Sequence, residues 1–264
     1  MIGTVVGVAT SGESGGEHGL PSLSVVLPAW NEAAGIEDTL HAVLRCGDHL
    51  VESEELEWFE LVVVDDASSD GTGALIATLA ADDDRIRLLR HDVNTGLGGA
   101  LISGFGAAKG SLVLYTDSDL PFDLSEVATA LRVMREQRAH VVAAYRNSRR
   151  GEGPRRWCYS AIYNLLVRWA LGLRVRDVNF AGKLLHRDVL DRVQLESTGS
   201  FIDAELLAKV DRSGFTIAQF GVDYRPRSHG VSTLSSMRVI STILSEMWRI
   251  APTIRRGRRP GSAR

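Results

Sequence analysis

Asp117 and Asp119 stand two residues apart in the stretch SLVLYTDSDLP, which runs from Ser111 to Pro121. The preceding residues 111–116 form a short apolar run with β-branched and aromatic members. They read as a buried strand that delivers two carboxylates at its C-terminal end. In an open α/β sheet that end is where ligands bind. Side chains at i and i+2 of an extended chain share a face, so both carboxylates can reach one hard cation. Two carboxylates supply only part of a magnesium or manganese shell, and water and phosphate oxygens complete it. The pair therefore suits a cation carrying a nucleoside diphosphate. The plain alternative is a solvated Asp-Ser-Asp turn, and the position directly after an apolar strand argues for a site.

The whole chain bounds what such a site can belong to. It has 264 residues, 44% hydrophobic and 24% charged, enough for one large domain or two small ones. No apolar run approaches the roughly 18 residues that a membrane span needs. Residues 1–21, rich in Gly and Ser without a basic start or a long apolar core, are expected to form a disordered leader rather than a secretory signal. Cys46 and Cys158 lack zinc spacing and suit a reducing cytosol. The seven His contain no HExxH pair. The net charge of −3 divides unevenly: from Arg225 onward nine Arg face one acid, Glu246, for +8, while the first 224 residues sum to −11. A basic end on an acidic body points to an anionic partner or surface for that end. The acidic body, without an aromatic-basic platform, argues against a nucleic-acid binder.

The elements that must position the carboxylates alternate along the first half of the chain. Strands are expected at 23–27, 59–64, 86–89, 111–116 and 141–145. The first helix, with Ile36, Leu40, Val43 and Leu44 at helical spacing, is expected to be capped by Asn31. Further helices are read over 73–81 and from the 91–99 turn to about Ala108. Another, carrying Val127, Leu131 and Met134, is expected to open on an Asp123/Glu126 capping box. This pattern argues for a mostly parallel sheet covered by helices on both faces. Beyond Arg150 the alternation weakens. There, a helix over 155–171, a loop and strand from Asp177 to Lys183, a helix over 201–210 and a strand over 216–224 are expected. A last amphipathic helix over 234–250 should carry Leu234, Met237, Ile240, Ile243, Leu244, Met247 and Trp248 on one stripe, followed by a basic tail. The domain limits that follow are 22–233 for the body and 234–264 for the helix and tail.

Common phosphate-binding signatures fit poorly: there is no GxxxxGK[ST] string, and the Gly96-Leu97-Gly98 turn has Leu101 at the last position of GxGxxG. The set PAWNE at 28–32, VVVDDASSDGT at 62–72, NTGLGGA at 94–100, YTDSDLP at 115–121 and DVNFAGK at 177–183 resembles glycosyltransferase family 2, the inverting GT-A transferases. Within it the chain is most similar to the polyprenyl-phosphate sugar transferases typified by dolichyl-phosphate mannose synthase. The resemblance runs over about residues 22–235.

It implies a GT-A fold and a donor that is a GDP- or UDP-linked sugar. It places Pro28, Trp30 and Glu32 around base and ribose, with Asp65 or Asp66 accepting from the base. It puts the backbone of Asn94, Gly96 and Gly98 near the nucleotide, and Asp117, Ser118 and Asp119 at the diphosphate. Asp117 and Asp119 would hold Mg2+ or Mn2+, Asp119 as the direct ligand. Arg146, Lys183, and Arg227 with His229 and Ser232 are the further groups expected around the leaving diphosphate or the acceptor. Asp177 is expected to fix its own loop.

The acceptor decides whether a base is needed. A phosphate monoester, with its second pKa about 6, attacks the anomeric carbon without losing a proton. A sugar hydroxyl needs a positioned carboxylate, for which Asp203 and Glu205 are the late acidic pair available. The resemblance implies a polyprenyl phosphate acceptor and peripheral association with the cytoplasmic face of a membrane through the last helix and tail. That helix is also explained by packing on the body, and a membrane-anchoring partner is a further expectation. The rival readings are a same-fold enzyme acting on a glycan or small-molecule hydroxyl, and a non-catalytic nucleotide-sugar-binding subunit.

Overall fold

The structure, a computed structural model, describes residues 19–147, 165–168, 170–225 and 237–256. Most of the expected leader, most of the helix expected over 155–171, Cys158, Leu234, the segment with Arg227, His229 and Ser232, and the tail from Gly257 lie outside the described residues.

Seven strands form one sheet: β1 Leu23–Ala29, β2 Phe59–Asp65, β3 Ile86–Arg90, β4 Leu112–Thr116, β5 Val141–Arg146, β6 Gly182–His186 and β7 Ile217–Val222. Their order is β3-β2-β1-β4-β6-β5-β7. All pairs are parallel except those of β6, which runs antiparallel between β4 and β5. Helices α1 Ile36–Glu52, α2 Thr72–Asp82, α3 Gly96–Ala107 and α4 Glu126–Glu136 follow the first four strands. Then come α5 Arg187–Arg192, α6 Ile202–Arg212 and α7 Met237–Arg256.

The mostly parallel sheet agrees with the strand and helix alternation, and the reason lies in the apolar pattern. Successive strand residues point to opposite faces, and a sheet buried on both must be apolar at nearly every position. Leu23, Val25 and Leu27 of β1, with Leu112 and Leu114 of β4, enter the core beneath α1 and α4. Val26, Val113 and Tyr115 enter the opposite core with Leu101 and Phe105 of α3. Val141 and Ala143 of β5 join Phe201 and Leu206 in a third cluster, which also takes Met247, Ile250, Ala251 and Ile254 of α7.

Three local expectations are corrected. Asn31 does not cap α1, which starts behind Gly35 without a side-chain cap. α4 opens behind Ser125 with no capping box, and Asp123 Oδ1 instead accepts from Ser125 N at 2.9 Å in an Asx-type turn. Trp248 is 75% exposed, while Met247, Ile250, Ala251 and Ile254 form the buried side of α7.

Candidate active site

Register brings the motifs to one edge. Ala29 pairs with Asp65, and Asp65 with Arg90, so the loops after β1, β2 and β3 leave the sheet side by side. Asp66 N donates to Ala29 O at 2.9 Å and His91 N to Asp65 O at 3.0 Å, carrying the ladder one residue further.

The first two loops are stitched together by their polar residues. Asn31 N donates to Ser68 Oγ at 2.9 Å, and Asn31 Oδ1 accepts from Ser69 N at 2.9 Å. Ala33 N donates to Asp70 Oδ2 at 3.0 Å and Glu32 N to Thr72 Oγ1 at 2.9 Å. Asn31 and Ala67 hold positive φ values of 55° and 60°. Asn tolerates that region and Ala does so at a cost, and strain of this kind collects at functional loops. Trp30, half exposed at 50%, presents an aromatic surface beside this stitched pair.

The two aspartates of VVVDD part company here. Asp66 is the hub of the next loop: Oδ1 accepts from Thr95 N and Thr95 Oγ1, both at 2.8 Å, and from His91 Nδ1 at 2.7 Å, while Oδ2 accepts from Gly96 N at 2.8 Å. Burial pushes its carboxyl up, but the bonds from Thr95, His91 and Gly96 outweigh burial and hold it below the usual carboxylate range. Three of these bonds fall on Oδ1 and one on Oδ2, so Asp66 is both the organiser of this loop and a carboxylate with an acceptor site left on Oδ2. Asp65 is fully buried; its Oδ1 accepts from Ser68 N at 3.0 Å and its Oδ2 lies 3.3 Å from Arg90 Nε. That Oδ2 accepts no hydrogen bond among the described residues, so Asp65 too has acceptor capacity to spare.

The amides of the glycine turn have partners inside the protein. Gly96 N is taken by Asp66, and Gly98 N and Gly99 N both donate to Thr198 O, at 2.8 and 3.3 Å. The start of α3 is thus plugged by the 196–199 segment. Gly98 is there because a Cβ would sit 2.1 Å from Ser197 O. Asn94, exposed, bonds Asp66 O through Nδ2 at 3.1 Å.

After β4, Asp117, Ser118 and Asp119 occupy a tight turn in which Leu120 N donates to Asp117 O at 3.1 Å. Leu120 takes a φ of 46°, an outlier for a bulky residue that its packing against the core sustains. Ser118 O accepts from Thr39 Oγ1 of α1 at 2.6 Å, pinning the turn from below. Both Asp side chains are part-exposed at the site edge. Among the described residues no third His, Cys, Asp or Glu joins them in a metal-holding group. The donor set fits a hard cation that shares its shell with a diphosphate, held by Asp117 and Asp119.

Of the groups expected around the leaving group or acceptor, Lys183, Asp203 and Glu205 are buried and Arg146 is half-buried, each with a charged partner. Lys183 is 0% exposed; its Nζ donates to Phe180 O at 2.8 Å and to Asp203 Oδ1 at 2.5 Å. Burial pushes the Asp203 carboxyl up against the pull of that ammonium. Glu205 is also 0% exposed, accepting from Glu196 N at 2.9 Å, Ser197 N at 2.7 Å and Lys209 Nζ at 2.7 Å. Arg146 grips Asp177 through Nε and one terminal nitrogen at 2.7 and 3.1 Å, between the rings of Phe180 and Tyr224. A Lys near the start of a strand or an Arg at its end reads the same in sequence whether it faces a ligand or the interior; the counter-charge 20 or 31 residues on is visible only in the fold. Thr95 and His91, which shape the Asp66 loop, were not among the expected site residues. Their only signal is a cap-type Thr directly before the glycine turn.

The model of the family described as Glycosyl transferase family 2 matches residues 24–194. Glycosyltransferase AglD of Haloferax volcanii is 34% identical over 237 residues, covering 86% of this chain, which spans only 37% of that protein's length. Polyprenol monophosphomannose synthase of Mycolicibacterium smegmatis is 30% identical over 208 residues, covering 75% of this chain and 77% of its own. Among solved structures, glucosyl-3-phosphoglycerate synthase of Mycobacterium tuberculosis, in complex with Mn2+, UDP-glucose and phosphoglyceric acid, superposes with a TM-score of 0.63 at 26% identity, over 86% of this chain and 80% of that one. The family model covers more than half of the chain and the sheet superposes on a solved member of the same fold, and the chain is a GT-A member of glycosyltransferase family 2.

Proposed function

We propose that the chain moves a hexose, mannose or glucose, with inversion from a GDP- or UDP-linked donor to a polyprenyl phosphate, using Mg2+ or Mn2+ at Asp117 and Asp119. The observation that carries the choice of acceptor is the sealing of Asp203 and Glu205: neither can take a proton from an acceptor hydroxyl. An acceptor phosphate brings its own negative charge. Its oxygen forms the new bond to the anomeric carbon as the bond from that carbon to the diphosphate breaks, and no proton moves. The bound cation would neutralise charge on the departing diphosphate.

In this reading Pro28, Trp30 and Glu32 line base and ribose, and Asp65 or Asp66 accepts from the base. Asn94 borders the same pocket and Ser118 holds the turn at the diphosphate. The similarity to a polyprenol monophosphomannose synthase supports a lipid-phosphate acceptor. Among the described residues no helix is long and apolar enough to cross a membrane. The Arg-rich end and exposed Trp248 suit the surface of an anionic bilayer, with or without an anchoring partner. A second reading, transfer to a small phosphorylated hydroxyl compound, rests on the likeness to the glucosyl-3-phosphoglycerate synthase.

The test is transfer by purified protein with Mn2+ or Mg2+, offering labelled GDP-mannose and UDP-glucose separately with short-chain polyprenyl phosphate or 3-phosphoglycerate, beside Asp119→Ala. Metal-dependent labelled lipid, absent with the variant, is expected. Labelled phosphoglycerate without labelled lipid would move the second reading ahead.

A further inference from the structure

Glu246 is the one acid from Arg225 to the end of the chain, among nine Arg, and it is buried. An acid in such a stretch has every electrostatic reason to stay solvated among the arginines. Instead α7 turns it inward, where Oε1 accepts from Gly199 N at 3.0 Å. Gly199 admits the carboxylate because it lacks a side chain: a Cβ there would lie 2.7 Å from Glu246 Oε2. Residues 196–199 are then fastened on three sides. Glu205 of α6 takes the amides of Glu196 and Ser197, Glu246 of α7 takes that of Gly199, and Thr198 O receives Gly98 N and Gly99 N at the start of α3. The same turn of α3 delivers Thr95 N and Gly96 N to Asp66, beside the stitched loops.

We propose that Glu246 is a positioning residue for the donor site: through Gly199 and Thr198 it fixes the plug on α3 and with it the loop that Asp66 organises. The last helix is thereby part of the donor-binding apparatus and not only an attachment surface. This rests on the proposed nucleotide-sugar chemistry, and the test separates the two.

Nucleotide binding is measured directly, with UDP and GDP in the presence of Mn2+, for the full chain and for Glu246→Gln, Glu246→Asp and Glu246→Ala. A buried hydrogen bond to a charged acceptor matters most when its donor is left unsatisfied. We expect Glu246→Ala and the one-methylene-shorter Glu246→Asp to weaken nucleotide binding about tenfold, and Glu246→Gln, which keeps an acceptor oxygen at full reach, to restore most of it. Hydrogen exchange at Gly98 and Gly99 should quicken in Glu246→Asp and not in Glu246→Gln, while helix amides in α1 and α4 keep their protection. Unchanged affinity and exchange in Glu246→Asp, or a uniform loss of protection across the sheet, would overturn the positioning role. If the unaltered chain binds neither nucleotide, the chemistry itself is wrong and the inference goes with it.

Discussion

The ammonium of Lys183 on β6 meets Asp203 of α6 at 2.5 Å in the interior, and the ring of Tyr115 on β4 lies 5.4 Å from the same nitrogen. Tyr115 Oη in turn stands 3.5 Å from Asp117 Oδ1, so this buried ion pair lies directly under the carboxylates of the site. Burial first, and then the charges of Asp203 and Asp117, push the Tyr115 hydroxyl well above its ordinary pKa and keep it a neutral donor. Removing one partner of a buried pair leaves an uncompensated charge, whereas removing both does not. Lys183→Met should cost about 3–5 kcal/mol in urea denaturation, and the double variant with Asp203→Leu should recover most of it. A single-variant loss below about 1 kcal/mol would sink the account of this pair as a structural one.

Asp66 makes a pH-dependent contribution with a definite sign. Its folded carboxyl lies below the ordinary value, held there against burial by Thr95, His91 and Gly96. The stability it adds is fully present above the unfolded pKa of about 3.9 and is lost as pH falls through the lower folded value. Asp66→Asn should therefore destabilise by about 3 kcal/mol at neutral pH, and the gap from the unaltered protein should narrow below about pH 4. Urea midpoints from pH 7 to pH 3 measure this; a gap that stays constant would count against the hub.

Two glycines of α3 should respond in opposite directions to the same methyl group. At Gly98 a Cβ meets the Ser197 carbonyl at 2.1 Å and Thr198 C at 2.8 Å, both backbone atoms that cannot step aside. Gly106, exposed on the helix, has nothing within 4 Å. Gly106→Ala should stabilise by about 0.5–1 kcal/mol, since Ala loses less backbone freedom than Gly on entering a helix. Gly98→Ala should lower Tm and weaken nucleotide binding together. Thermal melts of both variants suffice, and a stabilising Gly98→Ala would contradict the plugged turn.

Cation dependence should reside in Asp117 and Asp119 alone. Addition of Mn2+ is expected to tighten nucleotide binding by the unaltered chain, and a chelator to reverse it. Calorimetry of the Asp117→Ala/Asp119→Ala double variant should show binding that no longer responds to Mn2+, with Tm in metal-free buffer close to the original. A persisting Mn2+ response would place the cation elsewhere.

Strand existence and the mostly parallel sheet were readable in sequence because apolar runs and period-two burial are local properties of the chain. The direction of β6 was not, because antiparallel insertion between β4 and β5 depends on pairs such as Leu112 with His186 and Val141 with Leu185, far apart in the chain. The helix starts differ from the sequence pattern at Asn31 and Asp123 because each side chain accepts from another amide: Ser69 N of the next loop for Asn31, Ser125 N of its own turn for Asp123.

By itself the sequence determined the family, through five motifs in order, and the carboxylate pair after β4, because a strand end followed by Asp-x-Asp is chemistry written in consecutive residues. Tertiary structure alone decided which polar residues remain for ligands. Asp66, Arg146, Lys183, Asp203 and Glu205 each carry a charge that could serve a substrate, and each has a polar or charged partner that folding, not sequence position, brings to it. A buried charge is tolerated only where such a partner satisfies it, and that partner is chosen by packing rather than by position along the chain.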